Sequence, residues 1–157
     1  MDIQEGMKIL EVGPGTGFCT FEAAQCAGSS GHVYAVDIEP KAIAKLNERI
    51  KQRGIENITA KIASAYEIPF PDDSMDRAFM IGVLPEVPDK QRALREIRRV
   101  LKEEGLLTLA ECLIDPDYPR RKTEIGWCRD TGFELIGSYG STFFYVLIFK
   151  LIEEATS

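Results

Sequence analysis

The sequence predicts an α/β fold: an open, mostly parallel sheet of seven strands, helices on both faces, and an antiparallel hairpin at the C-terminal end. Three observations carry this. Short apolar runs alternate with helix-period segments through most of the chain. The first run passes straight into a glycine-rich turn, Ile9-Leu10-Glu11-Val12-Gly13-Pro14-Gly15-Thr16-Gly17. The last two runs flank Gly140 with no helix between them, and only antiparallel neighbours can be joined so tightly.

Each element has its own reason. Lys8 to Val12 is a short apolar run closed by glycines, and His32 to Asp37 is another that ends in an acid; both suit buried parallel strands. Thr16 to Ala27 between them fits a helix, stopped by the breaker cluster Gly28-Ser29-Ser30-Gly31. Pro40 opens a second helix with Ile43, Leu46 and Ile50 on one face, and Gly54 follows its end. Asn57 to Ala63 follows as strand three and Asp76 to Gly82 as strand four. Asp89 caps a third helix with the stripe Leu94, Ile97, Val100 and Leu101, which Gly105 is expected to stop. Leu106 to Glu111 is strand five, a weak helix covers roughly Pro119 to Thr131, and Phe133 to Tyr139 with Thr142 to Leu151 forms the hairpin.

Composition bounds the function. A chain of 157 residues with 45% apolar and 28% charged residues suits one folded domain, expected over 1–157. Lys and Arg number 19 against 25 Asp and Glu, a net charge of -6, the reverse of a nucleic-acid footprint. The one histidine, His32, removes sites built on several His ligands. Cys19, Cys26, Cys112 and Cys128 contain no C-x-x-C pair and are expected to be reduced, mostly buried thiols, implying a cytoplasmic protein. The acidic start lacks the pattern of a signal peptide. Phe143 to Phe149 is too short to cross a bilayer as a helix, so no membrane insertion is expected.

The glycine loop carries the densest chemistry. Glycines allow turns barred to residues with a Cβ and let a ligand lie on bare backbone, while the helix that follows offers unpaired N–H groups. A dinucleotide fingerprint would place its third glycine at position 18, where this chain has Phe18. The Glu11 carboxylate beside the loop favours a ligand bearing an ammonium group over a pyrophosphate. Asp37, ending strand two, stands where a carboxylate can accept hydrogen bonds from both hydroxyls of a ribose.

With these residues the sequence resembles the class I S-adenosylmethionine-dependent methyltransferases, of Rossmann-like fold, and among them the small-molecule branch that acts in quinone biosynthesis. Glu11, Gly13, Gly15 and Gly17 match the first motif and Val33 to Asp37 the second. Ile68 to Asp76 resembles the approach to strand four, and Glu96 to Gly105 the helix and turn before strand five. The resemblance implies S-adenosylmethionine as cofactor, S-adenosylhomocysteine as product and no metal. It places Gly13, Gly15 and Gly17 against the methionine part, Glu11 near its amino group, and Gly82 as a backbone contact there. Asp37 would hold the ribose and Ile38 would pack on the adenine. Ser64 stands where the family usually has an acid toward the adenine amine; its hydroxyl can still accept that bond, and the Ala65 N–H can serve a ring nitrogen.

The activity this implies is in-line methyl transfer to a small-molecule acceptor, with Glu86 and Tyr118 as candidate acceptor contacts and no assigned catalytic base. Two other readings stand beside it: a cofactor-binding subunit that activates a partner enzyme, and a nicotinamide-dependent oxidoreductase, which Glu11 and Phe18 disfavour. Strand four ends in Ile81-Gly82-Val83-Leu84, without a carboxylate pair for Mg²⁺, and Val83 to Asp89 lacks the histidine frequent in the quinone branch. Strand one begins almost at Met1, without the helical cover usual in the family, so an open pocket completed by a second copy, a partner subunit or further sequence is expected. Arg95, Arg98, Arg99 and Lys102 read as a solvated helix face, Arg120, Arg121 and Lys122 as surface charge, and the cysteines as packing.

Overall fold

The structure, a computed structural model, describes residues 1–112 and 120–152. Its elements are β1 (Lys8–Val12), α1 (Phe18–Ala27), β2 (His32–Asp37), α2 (Pro40–Arg53), β3 (Ile58–Ile62), β4 (Met75–Ile81), a 3₁₀ turn (Leu84–Glu86), α3 (Lys90–Val100), β5 (Leu101–Cys112), α4 (Arg121–Arg129), β6 (Phe133–Gly140) and β7 (Phe144–Leu151). The strands form one sheet in the order β3-β2-β1-β4-β5-β7-β6. β1 to β5 are parallel, and β7 runs antiparallel to both β5 and β6. The predicted mostly parallel seven-stranded sheet and terminal hairpin are therefore present.

The alternation of strand side chains builds two apolar layers. Ile9, Val33, Ala35 and Phe79 face Phe21 and Ala24 of α1 and Leu46 and Ile50 of α2. Leu10, Val36, Met80, Leu107 and Leu109 face Leu94 and Ile97 of α3 and Cys128 of α4. A fully buried Leu94 or Ile97 is worth about 1.5–3 kcal/mol over an exposed one, so each layer fixes its helices to the sheet. Because the chain leaves β1 toward β2 on one side and returns to β4 on the other, the order reverses between β1 and β4, where ligands bind in open α/β sheets.

Caps set the helix ends. Pro40 opens α2, the Glu39 side chain accepts from the Lys41 N–H at 3.1 Å, and Gly54 closes the helix at φ +62°. Asp89 accepts from the Arg92 N–H at 3.0 Å and starts α3 as expected. The end of α3 differs from expectation: it stops at Val100, not at Gly105. The carbonyls of Arg99 and Val100 accept N–H groups from Asp73 and Ser74 at 3.0 and 2.9 Å, and Leu101 is already extended and paired with Met75. Gly105 instead lies within the irregular start of β5, where a Cβ would come within 2.7 Å of the Lys102 carbonyl.

Two further expectations are corrected. Only Cys128 is buried; Cys19 is half-buried, and Cys26 and Cys112 are exposed because they fall outside the packed faces of α1 and β5. Arg99 is more than a solvated charge. Its guanidinium donates to the carbonyls of Ile68 and Phe70 at 2.9 and 3.0 Å and pairs with Glu96 and Asp72, pinning the segment before β4 to α3. Among the described residues no helix is long and apolar enough to cross a membrane.

Candidate functional site

A pocket of about 560 Å³ opens at the carboxyl ends of β1, β2 and β4, where the strand order reverses. Its floor is the turn after β1. The Gly13 N–H donates to the Val36 carbonyl at 2.9 Å, and Gly17 closes the turn by donating to the Pro14 carbonyl at 2.8 Å. Gly13 sits at φ +74°, and a Cβ there would overlap the methyls of Val83. Gly15, at φ +52°, and Gly82, at φ +65°, would meet nothing with a Cβ, so both present bare backbone to the pocket.

Asp37 stands on the rim at the end of β2. Its Oδ1 accepts the Glu39 N–H at 2.9 Å, which fixes the carboxylate, while Oδ2 has no hydrogen bond among the described residues. Ile38 beside it is 71% exposed, an apolar surface set against an open wall. The adjoining wall, continuing from β3, is Ala63, Ser64 and Ala65, and the Ala63 N–H donates to the Asp37 carbonyl at 3.0 Å. Ser64 Oγ accepts the Tyr66 N–H at 3.1 Å and its carbonyl accepts from Glu67, so the turn is rigid and the hydroxyl keeps a lone pair. Glu86 in the 3₁₀ turn is exposed and lines the third side.

Of the residues expected from sequence, Gly13, Gly15, Asp37, Ile38, Ser64, Ala65, Gly82 and Glu86 line this one pocket. Glu11 and Gly17 do not. The Glu11 side chain lies buried behind the loop, where Thr20 Oγ1 of α1 donates to its Oε2. Burial pushes its carboxyl up to about 7, with the Thr20 hydrogen bond opposing. Gly17 serves packing: a Cβ there would lie 2.5 Å from Leu46 Cδ1. Tyr118 lies outside the described residues.

The sequence reading missed Tyr66, Val83, Val87 and Pro88, which complete the walls. Tyr66 is held by its hydroxyl, which accepts the Asp89 N–H at 2.9 Å, and by Arg92 stacked 4.9 Å from the ring centre. Two buried acids, Glu111 and Glu124, lie outside this lining. The signal for Glu111 was present as an acid continuing the buried alternation of Leu107 and Leu109. Among the described residues no group of three or more His, Cys, Asp or Glu is arranged to hold a metal ion.

A glycine-floored pocket at the switch point, with an acid ending the second strand, stands where open sheets of the doubly wound α/β class take their ligands. Comparison with known families narrows this. The chain belongs to the methyltransferase family: the family's methyltransferase-domain model matches residues 3–129. A demethylmenaquinone methyltransferase of Anoxybacillus flavithermus is 34% identical over 111 residues, covering 71% of this chain and 47% of that protein. A ubiquinone/menaquinone biosynthesis C-methyltransferase of Cellvibrio japonicus is 36% identical over 110 residues, 69% of this chain and 44% of that protein. The chain thus spans about half the length of these relatives. In fold it resembles a SAM-dependent methyltransferase from Aquifex aeolicus, with a TM-score of 0.87 at 23% identity over 96% of this chain and 85% of that one.

Proposed function

We propose that this chain binds S-adenosylmethionine in the switch-point pocket and directs its methyl group to a small-molecule acceptor by in-line displacement. The observation that carries the reading is the pairing of a bare-backbone floor, Gly13, Gly15 and Gly82, with the fixed carboxylate of Asp37. Membership in the methyltransferase family and the quinone methyltransferases among its relatives support it.

The residues divide the work. Asp37 Oδ2 is placed to accept from ribose hydroxyls, since Oδ1 is already engaged. Ile38 offers an apolar face to the adenine, and Ser64 and Ala65 offer a hydroxyl and an N–H to its edge. Gly13, Gly15 and Gly82 allow close approach at the methionine end. Glu11 acts from behind the loop, holding α1 to β1 through Thr20 rather than reaching the ligand. Glu86 stands on the wall open to an acceptor. Bound S-adenosylmethionine supplies an electrophilic methyl on a sulfonium, so the protein's part is alignment and exclusion of water.

Isothermal titration of S-adenosylmethionine, S-adenosylhomocysteine and NADH against wild type and Asp37→Ala tests this. Saturable binding of both sulfur compounds, weakened in the variant, together with transfer of labelled methyl, is expected. Binding of NADH in their place would overturn the reading. Binding of the sulfur compounds without transfer to any acceptor would return the protein to the role of a cofactor-binding subunit.

A further inference from the structure

The wall that follows β4 carries a charge that the cofactor reading does not use. Glu86, in the 3₁₀ turn, is exposed and lines the pocket. Its N–H donates to the Val83 carbonyl at 3.0 Å, which sets the turn, but its carboxylate has neither a hydrogen bond nor an ion pair among the described residues. Lys90, four residues on, stands at ion-pair spacing and is engaged elsewhere: its Nζ donates to the Val87 carbonyl at 2.8 Å and lies 5.0 Å from the centre of the Trp127 ring. Arg92 stacks on Tyr66, and Arg121 donates to the Ser141 carbonyl at 2.6 Å. Among the described residues no Lys, Arg or His lines the pocket, and its two charged groups, Asp37 and Glu86, are both acids.

A cleft whose charges share one sign focuses its field between low-dielectric walls, so this pocket draws cations and turns anions away. Ribose hydroxyls engage Asp37 in the reading above, which leaves Glu86 for the second ligand. The lining around Glu86 is apolar: Ile81, Val83, Val87 and Pro88. An apolar wall with a single charged group orients a molecule that has an apolar body and one polar end. A phosphate or carboxylate on that end would find no cation to pair with. An ammonium would bring both a donor and the opposite charge to a free carboxylate.

Resting on the methyl-transfer reading, we propose that Glu86 is a specificity-determining residue that selects a cationic acceptor, a small organic molecule with an ammonium group on an apolar body. The ammonium is a handle: it stays protonated, pairs with the Glu86 carboxylate and does not itself attack the methyl. Val83, Val87 and Pro88 take the apolar body beside it. Val83 also packs on Gly13, so the wall that receives the acceptor is continuous with the floor that receives the cofactor. Selection by charge needs no rearrangement of the fold, because the backbone of the 3₁₀ turn is already fixed and the carboxylate has no partner to release.

The test is titration calorimetry on the protein loaded with S-adenosylhomocysteine, using three probes that share a phenol ring and differ in charge: tyramine, tyrosol and 4-hydroxyphenylacetate. Wild type should bind tyramine about 5–10-fold more tightly than neutral tyrosol, and the anion most weakly. The preference should shrink as salt is raised. Glu86→Gln should bring tyramine and tyrosol to equal affinity, and Glu86→Lys should turn the preference toward the anion, with S-adenosylhomocysteine affinity unchanged in both. Equal affinities in wild type, a preference that survives in Glu86→Gln, or binding of none of the three probes would overturn the proposal. So would weaker S-adenosylhomocysteine binding in Glu86→Gln, which would assign the carboxylate to the cofactor's own ammonium. Failure of wild type to bind S-adenosylhomocysteine would instead overturn the methyl-transfer reading itself.

Discussion

Gly13 and Val83 touch across the switch point: the backbone that ends β1 packs so closely on the residue two beyond β4 that a Cβ on Gly13 would overlap the valine methyls. This contact closes the pocket floor between the two strands whose order reverses. Val is stiff about χ1 and cannot swing aside.

Gly13→Ala is therefore expected to do more harm than Gly15→Ala, although both glycines have positive φ. At Gly15 only the left-handed conformation is penalised, by about 1–2 kcal/mol. At Gly13 the overlap adds about 1–3 kcal/mol of overpacking. Thermal unfolding of the two variants checks the order; equal losses would show that Val83 yields.

Asp37→Asn separates the two uses of that side chain. The amide oxygen can still accept the Glu39 N–H, so Tm should hold, while the charge offered by Oδ2 is lost. Hydrogen bonds to charged groups contribute about 1.5–3 kcal/mol, so S-adenosylhomocysteine should bind roughly 10–100-fold more weakly by titration calorimetry. An unaltered Kd would remove Asp37 from the site.

Arg99→Ala probes a strut whose weight was not visible in the sequence. The guanidinium holds the Ile68 and Phe70 carbonyls, and Glu96 accepts from both Arg99 and the Ile68 N–H. Arg99 and this backbone bond hold Glu96 below the usual carboxylate range despite burial, so its contribution is present above that range and is lost as pH falls through the folded value. With the side chain partly exposed, removal is expected to cost about 2 kcal/mol, or roughly 4–8 °C in Tm. The loss should shrink in acid, and a Tm penalty independent of pH would rule out Glu96 as its partner.

The pattern of these residues explains what was legible. Strand runs, capping residues and the glycine loop are local signals, and those that held are local too: Asp89 and Pro40 start their helices, and Gly13, Gly15 and Asp37 meet in one pocket, while Gly105 did not end α3 and Glu11 and Gly17 stand outside the pocket lining. Long-range partners were not legible. The end of α3 was set by Asp73 and Ser74, residues far back in the chain that take its last carbonyls. Glu11 points to α1 because position parity along β1 puts it on the face of Ile9, opposite Leu10, and that parity says nothing of which face the ligand approaches. Glu111 reads as one acid in an apolar run until β7 and α4 close over it.

Thr20→Val tests whether Glu11 is held as a structural acid behind the loop. In the folded protein its carboxyl keeps a proton up to about 7, against 4.5 ordinarily, so its contribution to stability is full below 4.5 and is lost as pH rises through 7. Thr20 softens that loss by donating to Oε2, and valine of nearly the same shape cannot donate. The variant should thus push the Glu11 carboxyl higher and lower stability by about 1–3 kcal/mol on the alkaline side of that window, and by less on its acid side. Scanning calorimetry at the two ends of the window reads this as a Tm gap between wild type and variant that widens with pH. A gap of constant size would mean that Thr20 contributes by packing alone, and that the charge on Glu11 is met by some other group.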